Sequence, residues 1–233
     1  MGGSGAPAAG VGLVVFDCDG VLVDSEMIAC AVEARALTAA GYPITTAEVA
    51  HRYAGVSDAD MRRAIEEESG RTLPEDHAAR CGAEVEDVYG RELRAVQGIA
   101  AVVDAVKESG AQVCIASSSA PERLRLALGL TGLWERFAPH VFSAKMVARG
   151  KPAPDLFLLA AREMAVEPPA CLVVEDSAPG IRAARAAGMT AIGFTGASHC
   201  GPGHDARLRE AGAELICADA RALGVLLRDR LGG

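Results

Sequence analysis

Aromatic side chains are nearly missing from this chain: its 233 residues include one Trp, three Tyr and five Phe. The interior must therefore be filled by aliphatic residues, and at 50% hydrophobic residues there are enough for a sizeable folded core. Basic blocks are missing too. The formal charge is −8, which argues against a surface matched to nucleic-acid phosphates. Cysteine pairs are missing, although cysteine is not. Cys18, Cys30, Cys81, Cys114, Cys171, Cys200 and Cys217 are odd in number and contain no CxxC. That pattern is expected of reduced thiols in a cytoplasmic protein rather than of a disulfide framework. No apolar run reaches the roughly 20 residues that a bilayer requires. MGGSGAPAAG has neither a basic start nor an apolar stretch, so residues 1–10 read as a flexible leader rather than a secretory signal. There is no GxxxxGK[ST] phosphate loop, and GAPAAGVG precedes a strand instead of following one, the wrong order for a dinucleotide fingerprint. No internal repeat is visible.

What is present begins with short apolar runs. VGLVVF (11–16), VCIA (113–116), CLVV (171–174), TAIGF (190–194) and, more weakly, AELIC (213–217) have the continuous hydrophobicity of strands buried on both faces. Helical patterns separate them: 99–109, one beginning at Pro121, one beginning at Pro154, and 179–187. Gly110 and Gly188 close the first and last of these. Strand and helix in alternation predict an α/β fold, a Rossmann-like parallel-sheet core. Residues 26–96 break the alternation. They read as four helices, 25–40, 46–53, 58–69 and 75–95. The predicted organisation is a core of 11–25 and 97–233 with an inserted α-helical cap domain at 26–96.

The strand ends carry the chemistry. The first apolar run stops at Asp17, and Asp19 follows one residue on, before Gly20. Strand side chains alternate, so both carboxylates can face one side, where they repel unless a proton, a basic side chain or a divalent cation intervenes. The second run ends in Ser117, with Ser118 and Ser119, and the third in Glu175 and Asp176. Between those two runs, GKPAPD places Lys151 before a helix that starts at a proline. Taken singly, each is an ordinary polar exit, a cap or a solvated lysine. Ligands of open α/β sheets bind beyond the carboxyl ends of strands, so together they describe one site. Clustered carboxylates suit Mg²⁺, and a lysine with hydroxyls suits a phosphate.

In order, DCDGVLVDSE, IASSSA, GKPAPD and VVEDSAPG resemble the four motifs of the haloacid dehalogenase superfamily of phosphotransferases. Within it they resemble the branch that holds β-phosphoglucomutase and small sugar-phosphate phosphatases. The resemblance covers nearly the whole chain after the leader, and it implies residue roles. Asp17 is the nucleophile that accepts the phosphoryl group. Asp19 is the general acid and then the general base. Ser117, Ser118 and Lys151 hold phosphoryl oxygens. Asp17, Asp176 and the backbone carbonyl of Asp19 hold Mg²⁺, assisted by Glu175. The superfamily's dehalogenases lack the second aspartate, so Asp19 points to phosphate esters.

The implied activity is Mg²⁺-dependent hydrolysis of a small phosphorylated metabolite, of the sugar or polyol phosphate type, by a cytoplasmic monomer with no membrane or nucleic-acid partner. The alternative is a mutase. In that family a cap histidine follows the first motif, and an arginine follows a GVS turn and binds the substrate's second phosphate. The corresponding positions here are Ala29 and Asp58, and Asp58 would repel a phosphate, although Arg52 or Arg62 could substitute. Substrate choice is expected from Glu26 beside the first motif and from the cap: Val56, Ser57 and Asp58, with Arg52 and Tyr53 weaker candidates. GVSDADM can equally be a plain interhelical turn capped by Asp58. HCGPGH, with His199, Cys200 and His204, offers transition-metal ligands but reads better as a Gly/Pro-rich surface loop peripheral to catalysis.

Overall fold

The computed structural model describes residues 10–53 and 58–232, apart from the side chain of Asp58. The elements run β1 (Leu13–Phe16), α1 (Glu26–Ala39), α2 (Thr46–Tyr53), α3 (Asp58–Ser69), α4 (His77–Glu92), α5 (Ile99–Glu108), β2 (Gln112–Ser117), α6 (Pro121–Leu130) and α7 (Trp134–Phe137). They continue β3 (Val141–Ser143), α8 (Asp155–Glu163), β4 (Cys171–Glu175), α9 (Ala178–Ala186), β5 (Thr190–Phe194), α10 (His204–Glu210), β6 (Leu215–Cys217) and α11 (Ala220–Arg230). The six strands form one sheet in the order β3-β2-β1-β4-β5-β6. Every pairing in it is parallel.

Period-two alternation sends each strand's side chains to two cores. Val14 and Phe16 join Val113, Ile115, Leu172, Val174 and Ile192 on one face, under α5, α6 and α11. Leu13 and Val15 join Cys114, Ala116, Val173 and Ala191 on the other, under α8 and α9. Both faces are covered, which is why the strands read as unbroken apolar runs. Strand order reverses between β1 and β4, and the crevice beyond their carboxyl ends is the topological switch point.

The sheet holds one strand that the apolar runs do not announce. β3 is a three-residue edge strand, too short for a periodicity to register. Between β1 and β2, helices α1 to α3 bury a cluster of their own, including Cys30, Leu37, Val49, Tyr53, Ile65 and Leu73, while Cys81, Val85, Val88 and Tyr89 of α4 join the core on the Val14 and Phe16 face of the sheet. The chain enters and leaves this helical block through a paired stem. The Asp24 amide donates to the Arg94 carbonyl (3.0 Å), and the Val96 amide donates to the Leu22 carbonyl (2.9 Å).

Candidate functional site

β1 is central, hydrogen-bonded to β2 on one side and β4 on the other. Its last residue, Phe16, packs edge-on against Phe137, with ring centroids 5.9 Å apart. Asp17 follows, anchored by its amide to the Val174 carbonyl at 3.0 Å. The carboxyl ends of β1, β2 and β4 thereby meet at a cavity of about 390 Å³. Asp17, Asp19, Ser117, Ser118, Lys151 and Asp176 line it.

Lys151 ties these strand ends together. Its Nζ donates to Asp17 Oδ1 (2.5 Å), Glu175 Oε1 (2.6 Å) and the Ala116 carbonyl (2.9 Å). The second oxygen of Glu175 accepts from the Ser177 amide (2.9 Å) and hydroxyl (2.8 Å). Asp19 is held at both oxygens: Ser25 Oγ donates to Oδ1 and Ser119 Oγ to Oδ2, each at 2.7 Å. A carboxylate gripped this way keeps one orientation and can still exchange a proton with a group in front of it.

Two glycines make the packing possible. Gly20 has φ +79°, and a Cβ there would lie 1.8 Å from Asp176 Oδ2. A Cβ at Gly180 would lie 1.9 Å from the Glu175 carboxyl. Both approaches are closed to any residue with a side chain.

Charge is out of balance. Asp17, Asp19, Glu175 and Asp176 stand around one ammonium. Burial lifts the Asp17 carboxyl well above the usual range. Lys151 pulls it back, while Glu175, Asp176 and Asp19 add to the lift. Burial likewise raises Asp176, with Glu175 and Asp19 adding to it against Lys151. Burial opposes the charge on Lys151, but Asp17 and Glu175 outweigh it and hold the ammonium above the ordinary lysine range. Such a surplus of oxygen donors fits a hard divalent cation.

Glu26, at the start of α1, lines the same cavity, and burial followed by Asp19 and Asp176 pushes it up to about 7. This has a consequence for stability. A carboxyl whose pKa is raised by folding contributes stability below its unfolded value and loses it as pH rises through the folded one. Cation-free protein should therefore lose stability between about 4.5 and about 7 on account of Glu26. Asp17 and Asp176 act in the same direction. The Glu26 share is about 1–2 kcal/mol after allowance for solvent at a half-buried group. Tm measured against pH should fall across that window, and added Mg²⁺ should raise it most at the alkaline end.

The loop after β5 is not peripheral. His199 Nε2 lies 3.1 Å from Asp176 Oδ2, and His204 Nε2 lies 2.6 Å from the Asp176 carbonyl. Arg207 donates to His204 Nδ1 at 3.1 Å, so Nε2 carries the proton given to that carbonyl. Burial holds both imidazoles below the ordinary histidine value. Both rings line the cavity, which corrects the expectation of a remote surface loop. β5 pairs with β4, so the loop leaving it emerges on the edge that carries Asp176. That position at a strand's carboxyl end was the available signal. Ser119 shared the strand-end signal of Ser117, whereas Ser25 and Arg207 carried none.

The other expected specificity residues lie apart from the cavity or outside the description. Arg52 is on an exposed face, paired with Glu68 and with the Tyr42 hydroxyl at 3.0 Å. Tyr53 is buried in the helical block. Val56 and Ser57 lie outside the described residues, as do the side chain of Asp58 and residues 1–9 of the leader.

Three comparisons agree with this geometry. The family model for haloacid dehalogenase-like hydrolases matches residues 11–188. A 6-phosphogluconate phosphatase of Escherichia coli is 31% identical over 190 residues, 81% of this chain and 85% of that protein. Among solved structures, a conserved haloacid dehalogenase-like protein of unknown function from Agrobacterium tumefaciens superposes with a TM-score of 0.86. Its identity is 41%, over 94% of this chain and 99% of that one. A hydrolase of the same family from Deinococcus radiodurans, solved with bound phosphate and sodium, gives a TM-score of 0.79 at 30% identity, over 96% of this chain and 98% of that one. The chain belongs to the haloacid dehalogenase-like hydrolases. Among its described residues, no helix is long and apolar enough to cross a membrane.

Proposed function

We propose that this chain is a Mg²⁺-dependent phosphatase that hydrolyses a small phosphorylated metabolite, of the sugar or polyol phosphate type, through an aspartyl phosphate on Asp17. The observation that carries this reading is the pairing of two differently held carboxylates at one cavity. Asp17 is gripped on one oxygen by Lys151, and Asp19 is tethered at both oxygens by hydroxyls. The first arrangement suits a nucleophile and the second a proton carrier.

In this reading a free oxygen of Asp17 attacks phosphorus, and the bond from phosphorus to the leaving alcohol breaks as Asp19 gives that oxygen a proton. Asp19 then takes a proton from water. The water oxygen attacks phosphorus, and the phosphorus bond to Asp17 breaks, freeing phosphate and restoring Asp17 as a carboxylate and Asp19 as its protonated acid. The Ser117 and Ser118 hydroxyls and Lys151 hold the phosphoryl oxygens. Asp17, Asp176 and the Asp19 carbonyl would hold the Mg²⁺, with Glu175 in support, and the bound cation would neutralise charge building on the transferring group. Residues 26–96 act as a cap on the 22–24 and 94–96 stem, and its closure excludes water.

Relatives named as a 6-phosphogluconate phosphatase and, at 29% identity, a phosphorylated carbohydrates phosphatase of Thermotoga maritima support the substrate class. The mutase reading is weaker because it needs a cation for a second phosphate. Arg52 is taken by Glu68, and Arg62 by Glu66 (3.0 Å) and the Pro74 carbonyl (2.8 Å).

The test is phosphate release from a panel of phosphomonoesters that includes 6-phosphogluconate and β-glucose 1-phosphate, with and without Mg²⁺. Release should need Mg²⁺, and Asp19→Asn should lower kcat by about 10²–10⁴-fold, the usual worth of a placed proton carrier. Conversion of β-glucose 1-phosphate to glucose 6-phosphate without phosphate release would replace the phosphatase with the mutase.

A further inference from the structure

Away from the strand ends, the helical block gathers a second set of donors. Glu33 on α1 and His77 and Cys81 on α4 bring one ligand atom each to within 4.8 Å of the others. His77 and Cys81 are four residues apart, one helical turn, so both project from the same face of α4 toward α1. The cluster is enclosed: His77 is 8% exposed and Cys81 7%. It borders a cavity of about 330 Å³ that Met61, Arg62, Leu73 and Arg123 also line.

The contacts have the form of a chelate and not of a nucleophile relay. A cysteine–histidine–carboxylate relay uses both ring nitrogens, one toward sulfur and one toward the carboxylate. Here one nitrogen faces both partners: His77 Nε2 is 2.6 Å from Glu33 Oε1 and 3.7 Å from Cys81 Sγ. Around a tetrahedral Zn²⁺, sulfur and nitrogen ligands stand about 3.6 Å apart, close to the separation present. Nitrogen and oxygen ligands stand about 3.3 Å apart, so Glu33 need withdraw only by about 0.7 Å.

We propose that Glu33, His77 and Cys81 form a binding site for a transition-metal dication of the Zn²⁺ type, with its fourth position open to the adjoining cavity. Charge favours this occupant. One carboxylate, one thiolate and a neutral imidazole around a dication sum to zero, the state that a buried site tolerates. Without a cation, burial keeps the Cys81 thiol protonated, pushed up to about 12. Ligand softness selects the metal: thiolate and imidazole suit Zn²⁺ or Co²⁺ and are poor partners for Mg²⁺, which the carboxylates of Asp17 and Asp176 at the strand ends suit better. Three protein ligands with a free position is also the pattern of zinc sites that exchange a ligand. The proposal is independent of the phosphatase reading.

Co²⁺ is the probe. The full chain is titrated with Co²⁺ in excess Mg²⁺, so that the carboxylate site stays filled. Stoichiometric binding should give thiolate-to-cobalt charge-transfer absorption and tetrahedral d–d bands, and Zn²⁺ should abolish both. Cys81→Ser should remove the charge-transfer band. Glu33→Gln keeps the thiol and should weaken Co²⁺ binding by at least about tenfold, a loss that changes outside the ligand shell can already produce. Cys200→Ser, in the histidine loop after β5, should change neither. Absence of the charge-transfer band from the unaltered chain would overturn the proposal without needing any variant to fold. So would a band that survives Cys81→Ser or disappears with Cys200→Ser.

Discussion

Asp17→Asn should lower kcat by at least about 10⁵-fold while the protein stays folded, the scale of loss when an attacking group is removed. The amide matches the carboxylate in shape and keeps an oxygen to accept from Lys151, which now sits 2.5 Å from Oδ1. It cannot attack phosphorus and release it again. Stability should move the other way. Burial already penalises the charged Asp17, and Glu175, Asp176 and Asp19 add repulsion, so a neutral residue relieves part of that cost. The expected pair of results is no turnover and a Tm that is unchanged or higher. Calorimetry and a phosphate-release assay on one preparation check both. A variant that retains turnover within tenfold of the parent would place the nucleophile elsewhere.

Lys151→Met should be costly in both measures. The methionine fills the stem's volume but removes the one ammonium that contacts Asp17 and Glu175. Glu175 is fully buried, and taking one partner from a buried ion pair costs about 3–5 kcal/mol. The loss should be largest at neutral pH and shrink on acidification, as the orphaned carboxyls take up protons. Turnover should fall by about 10²–10³-fold, the usual worth of one donor on a transferring group. Urea titrations at two pH values separate this from loss of packing alone, which would be indifferent to pH. A stability change of equal size at both would show that Lys151 fills space and does not balance charge.

Asp17, Asp19, Ser117, Glu175 and Asp176 were legible because each stands where an apolar run stops, and a buried strand records its own ends in local hydrophobicity. Lys151 was legible as a motif, but its partners were not. Its bond to Asp17 spans 134 positions and exists because β1 lies between β2 and β4. The two hydroxyls on Asp19 differ in the same way: Ser25 is six residues away, whereas Ser119 is 100 away. His199 and His204 sit in a Gly/Pro-rich stretch that has no periodicity to read. Only the pairing of β5 with β4 turns that stretch into a wall of the cavity.

By itself, then, the sequence determined the class of fold, the four helices between the first two strands, the acids and hydroxyls that end the strands and the lysine ahead of the proline-started helix. These follow from side-chain periodicity and punctuation, which act over a few residues. Tertiary structure decided the strand order, the short edge strand β3, the tethering of Asp19, the approach of the histidine loop to Asp176 and the meeting of Glu33 with His77 and Cys81. Each of these joins segments far apart in the chain. They are brought together by the burial of two sheet faces and a helical cluster, which no local pattern encodes.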